Sequence, residues 1–148
     1  VVAPVEVVKK LVQAKQGCDL NTSTFNQYLA YQVANDPWMK THICKIRKTY
    51  KERRDVMLKA LEDYMPEGVQ WTRPQGGLFL WVTLPECIDT QQIFPSAVEQ
   101  KVAFVPGGSF HPKGGGHNTM RLNFSNSKPE LIVEGIKRLA NVIKDNLK

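Results

Sequence analysis

The sequence predicts an α/β chain: a small mixed, largely antiparallel sheet covered by helices and preceded by one long helix. Three observations carry this expectation. Apolar residues recur every three or four positions over residues 38–65, short strand-like runs cluster between residues 69 and 125, and helical periodicity returns after Pro129. The composition is that of a folded domain. A chain of 148 residues can bury roughly two thirds of the surface its unfolded form exposes. With 42% apolar and 23% charged residues, it has neither the low hydrophobicity of a disordered chain nor an apolar run of membrane length.

The opening Val1-Val2-Ala3-Pro4 reads as a strand entered in mid-domain, as expected of a piece of a longer polypeptide. Val5, Val8, Leu11 and Val12 predict an amphipathic helix over 4–15 that stops at Gln16-Gly17, where glycine can take a left-handed cap. A second helix is expected over 24–34, with Thr22 or Ser23 accepting hydrogen bonds from its first free N–H groups. Asp36-Pro37 is a cap followed by a first-turn proline. It opens the long helix over 38–65, whose apolar positions are Ile43, Ile46, Tyr50, Met57, Leu61 and Tyr64. Such a helix spans about 40 Å, more than a small core needs, so it is expected to bridge two parts of a larger molecule.

Pro66 and Gly68 close that helix. Strands are expected over 69–72 and 78–84, joined by the turn Arg73-Pro74-Gln75-Gly76-Gly77, then a helix over 89–100 and a strand over 102–106. Residues 107–118 form a loop with five glycines, and 119–125 alternate as a strand. Ser127 and Glu130 stand at capping-box spacing before a last helix that presents Ile132, Ile136, Leu139, Ile143 and Leu147 on one face. Three boundaries follow: residues 1–37 end one domain, 38–65 form the connecting helix, and 66–148 form a small domain.

The net charge of +6 invites a nucleic-acid reading, but acidic residues reappear at Glu52 and Asp55 around the end of the basic stretch over 40–54, which fits a solvated helix better. Cys18, Cys44 and Cys87 are widely spaced, without a C-x-x-C pair, and read as reduced thiols of a cytoplasmic protein. His111 and His117 flank a glycine-rich segment that lacks a third ligand, so no metal is expected. The glycine runs do not have phosphate-loop spacing. In Met120-Arg121-Leu122-Asn123-Phe124-Ser125, a period of two puts Met120, Leu122 and Phe124 on one face and Arg121 on the other. A strand-held guanidinium suits a carboxylate because its planar fork donates two parallel hydrogen bonds; an exposed or salt-bridged strand arginine is the alternative.

Four segments in order carry a resemblance: Tyr50-Lys51-Glu52-Arg53-Arg54-Asp55, Pro74-Gln75-Gly76-Gly77-Leu78-Phe79-Leu80-Trp81, Val105-Pro106-Gly107-Gly108-Ser109-Phe110, and Met120-Arg121-Leu122-Asn123-Phe124-Ser125. Together they resemble the C-terminal part of class I/II, fold-type-I aminotransferases, nearest in pattern to the aminoadipate, kynurenine and aromatic branch. The resemblance covers nearly the whole chain. It implies that Arg121 binds the substrate α-carboxylate, that Phe110 borders the substrate pocket, and that Leu20, Asn21 and Thr22 reach the partner subunit's active site in a homodimer. A core role for Phe110 and a helix-cap role for Thr22 stay open beside these.

The resemblance further implies a pyridoxal 5'-phosphate (PLP) enzyme that moves an amino group between an α-amino acid and a 2-oxo acid. Its Schiff-base lysine, its ring-nitrogen aspartate and its stacking aromatic all precede this chain. The chain then holds no catalytic residue and is expected to be inactive by itself. Two alternatives are the ligand-sensing half of a bacterial transcription regulator and a carboxylate-binding domain without catalysis.

Overall fold

A computed structural model describes residues 1–147. Its backbone forms two compact units, Val1–Lys45 and Ile46–Lys148, whose boundary falls inside the long helix.

The first unit holds α1 (Val5–Cys18), α2 (Thr24–Asn35) and the start of α3 (Pro37–Tyr64). The expected opening strand does not form, because no neighbouring strand among the described residues of this unit can complete a ladder with residues 1–4. Helix α1 also runs past the expected stop at Gly17. The Asp19 N–H still bonds to the Lys15 carbonyl, the Lys15 ammonium pairs with the Asp19 carboxylate at 2.8 Å, and the left-handed residue is Leu20, with φ 58°. Ser23 occupies the cap of α2 but makes no side-chain cap bond; instead the Gln27 amide donates to the Thr22 carbonyl at 2.7 Å. The expected cap of α3 is present, with the Trp38 N–H donating to Asp36 Oδ1 at 2.8 Å. Neither α1 nor α2 buries a residue, and Phe25, Tyr28 and Tyr31 stay largely exposed.

The second unit contains a four-stranded sheet in the order β1-β2-β4-β3, from β1 (Gln70–Trp71), β2 (Phe79–Thr83), β3 (Val105–Pro106) and β4 (Thr119–Asn123). Every ladder among the described residues is antiparallel. Alternation decides the faces: Leu80, Val82, Met120 and Leu122 turn inward and are buried. They share one core with Met57 and Leu61 of α3, Ile93 and Ala97 of α4 (Thr90–Glu99), and Ile132, Ile136, Leu139 and Ile143 of α5 (Pro129–Asp145). Burying each large aliphatic side chain contributes roughly 1.5–3 kcal/mol. Helices therefore cover one face of the sheet, and Phe79, Trp81, Arg121 and Asn123 lie on the other.

The third strand is shorter than the expected 102–106. Lys101 takes a left-handed φ of 62° at the end of α4, and the Val102 N–H bonds back to the Ala97 carbonyl, so residues 101–102 close the helix instead of joining the ladder. Pro95 lies inside α4 without ending it. The capping box expected at α5 also fails to form, because Lys128, not Ser127, occupies the cap position and the reciprocal spacing is lost by one residue.

Candidate functional site

Arg121 lies at the centre of β4, with Trp81 of β2 opposite it on one side and Val105 of β3 on the other. Its neighbours Met120 and Leu122 are buried, so strand geometry sends the half-buried arginine to the outer face. There its Cζ sits 4.1 Å from the centroid of the Phe79 ring and 4.9 Å from that of Phe110. It makes no hydrogen bond or ion pair with any described residue, so the salt-bridged alternative does not hold within them. A guanidinium over aromatic faces is held by the ring quadrupoles while its N–H edges stay free to donate.

Phe110 ends a 3-10 turn, Gly107–Phe110, that follows β3 directly. Trp81 meets its ring edge-on, with centroids 5.2 Å apart at 80°, and also approaches His111 at 6.4 Å. The His111 Nδ1 lies 2.9 Å from the Gly107 carbonyl, which can only accept, so that nitrogen carries the proton. Two glycines make this loop possible. A methyl at Gly107 would come within 2.7 Å of the Thr119 carbonyl, and one at Gly116, where φ is 68°, would overlap the His111 ring.

The first of the four segments acts as an anchor. Arg53 donates to the carbonyl of Ser125, whose own N–H and hydroxyl both donate to Asn123 Oδ1, tying α3 to the end of β4. Arg54 donates to the Pro74 carbonyl at 3.1 Å and to Asp55 Oδ1 at 2.5 Å. The Arg54 guanidinium, and after it the Lys51 ammonium, hold the Asp55 carboxyl below its usual range. Arg47, Tyr50, Lys51, Arg54, Gln75 and Phe124 line a cavity of about 570 Å³ beside this anchor, and Arg121 is not part of its wall.

Of the residues singled out in the sequence, Arg121 and Phe110 are thus brought together. Leu20, Asn21 and Thr22 belong to the other unit, in the exposed link between α1 and α2. Phe79 and Trp81 were missed as members of the Arg121 face. The alternation over residues 78–84 carried the signal, but deciding which of its two faces joins Arg121 requires the β2/β4 register.

Residues 1–139 match the family described as aminotransferase class I and II. Over 95% of its length the chain is 51% identical to aromatic-amino-acid aminotransferase 1 of Thermococcus litoralis, covering 34% of that protein. The crystal structure of the α-aminoadipate aminotransferase of Thermus thermophilus, complexed with N-(5'-phosphopyridoxyl)-L-leucine, superposes with a TM-score of 0.84 at 42% identity, over 99% of this chain and 37% of that one. An uncharacterized HTH-type transcriptional regulator of Bacillus subtilis is more distant, 27% identical over 98% of this chain and 30% of its own length. The chain therefore spans about a third of the length of the relatives it matches. With its four ordered segments, its antiparallel small sheet and a family match over nearly its whole length, the chain belongs to the class I and II aminotransferases.

Proposed function

We propose that this chain is the C-terminal third of a PLP-dependent aminotransferase that moves an amino group between an α-amino acid and a 2-oxo acid, and that Arg121 binds the substrate α-carboxylate. The observation that carries this reading is the Arg121 guanidinium on the open sheet face, without an acidic partner among the described residues. Its fork can donate two parallel N–H bonds to a carboxylate, and a substrate gripped at that end has its α-carbon held at a set distance and angle from the strand.

PLP, when bound, supplies the electron sink for the chemistry at the α-carbon. The side chains around Arg121 do not fit the cofactor: Phe79, Trp81, Phe110 and His111 offer neither an amine for a Schiff base nor an acid for the ring nitrogen. The part assigned to this chain is consequently binding and orientation, and the chain by itself is inactive. Phe110 borders the space where the substrate lies. Leu20, Asn21 and Thr22 reach the partner subunit's active site in a cytoplasmic homodimer. The large exposure of Phe25, Tyr28 and Tyr31 supports burial of this part of the chain within a larger assembly. The regulator reading has less support, since relatives of that kind are much less similar than the enzymes.

The test replaces Arg121 with Ala in the full-length protein. The value of kcat/KM for α-amino acids is expected to fall at least about a hundredfold, the loss typical of a charged hydrogen-bonding pair. An unchanged value would overturn the assignment.

A further inference from the structure

We infer that Phe79 and Phe110 are positioning residues for Arg121: their rings preset the guanidinium for an incoming carboxylate, an inference that rests on the carboxylate-binding role proposed above. Arginine has a long side chain with many rotamers, and that freedom must be lost when it binds a planar acid group. On an open sheet face with no acidic neighbour among the described residues, contacts other than ion pairs must restrict it. Two rings are placed to do so, with centroids 4.1 Å and 4.9 Å from Cζ.

The rings reach Arg121 from different elements, which gives the contact its definition. Phe79 stands opposite Asn123, so it is the diagonal neighbour of Arg121 across the β2/β4 ladder. Phe110 comes from the turn after β3, braced edge-on by Trp81. An aspartate in either place would restrain the arginine equally well but would occupy the N–H groups that the substrate needs. A ring attracts the cation through its face and leaves those groups unpaired. The contact is the same before and during reaction, so it favours ground state and transition state alike and should appear in KM more than in kcat.

The experiment uses the full-length holoenzyme with Phe79→Leu, which keeps apolar bulk and removes the π face, and with Phe79→Tyr, which retains it. The Leu variant is expected to raise the amino-acid KM about tenfold while kcat stays within about twofold, and the Tyr variant to restore the wild-type KM. A monocarboxylate inhibitor should bind the Leu variant about tenfold more weakly, whereas its neutral amide binds both proteins equally. Phe110→Leu, which also alters the substrate wall, should raise KM and weaken the acid more than the amide, and serves if Phe79→Leu does not fold. Wild-type KM in both Leu variants, equal weakening of acid and amide, or failure of Tyr to restore KM would each sink the inference. If Arg121→Ala also leaves the reaction intact, the carboxylate role itself is wrong; if Arg121→Ala is crippled while both Leu variants behave as wild type, only the positioning role is.

Discussion

The hydroxyl of Thr90 lies 2.9 Å from the carbonyl oxygen of Thr119 and 2.9 Å from that of His117, joining the first turn of α4 to the start of the strand that carries Arg121. Thr90 is 1% exposed, so no solvent can replace what its hydroxyl donates. Its backbone N–H adds a third link, 2.8 Å from the His117 carbonyl.

Thr90→Val keeps the side-chain shape and removes the donor. The Thr119 and His117 carbonyls would lose this partner in a buried setting, at a cost of about 1–3 kcal/mol. Chemical denaturation of the full-length protein should show that loss, and Thr90→Ser should recover most of it.

Gly107→Ala tests the turn that places Phe110. The added methyl would approach the Thr119 and Gly116 carbonyls at 2.7 and 2.9 Å, and backbone atoms cannot swing aside as a flexible side chain can. The turn must shift and move Phe110 away from Arg121. The expected outcome is a raised amino-acid KM and a stability loss of about 1–3 kcal/mol, the usual cost of overpacking. An unchanged KM would show that the turn does not set the arginine.

Asp55 provides a pH test. Its carboxyl is held below the usual range, first by Arg54 and then by Lys51, so the unfolded chain binds a proton there more readily than the folded one. Its contribution is therefore present above the ordinary carboxylate pKa of about 4 and disappears as pH falls through the lower folded value. The Asp55 side chain is 44% exposed, which limits the pair to roughly 0.2–1 kcal/mol. Asp55→Asn should be less stable than wild type at pH 7 by about that amount, and the difference should shrink steadily as pH falls below the ordinary carboxylate value of about 4. A gap that widens on acidification would contradict the assigned pairing.

Much of the fold was legible because periodicity reports burial directly. The long α3, the hairpin of β1 and β2 and the inward face of α5 all follow from spacing of apolar residues, since each pattern suits one backbone period. The misses occurred where local chemistry competes with longer-range demands. Gly17, Ser23 and Ser127 have the composition of caps, yet Asp19 and Lys128 hold the cap positions of α1 and α5, and Ser23, at the cap of α2, makes no side-chain cap bond. The strand expected over 102–106 begins later because, although Val102 and Phe104 are apolar, closing α4 takes the Val102 N–H first.

For the candidate site, the sequence by itself determined that Arg121 points away from the core. Alternation with Met120 and Leu122 leaves it no other face, because burying an unpaired guanidinium costs far more than burying a methionine. What surrounds Arg121 was decided by tertiary structure. Phe79 lies 42 positions earlier and Phe110 eleven earlier, and pairing register and the tight turn at Gly107 bring their rings over one cation. Register is a property of two strands together, so no single segment could have specified it.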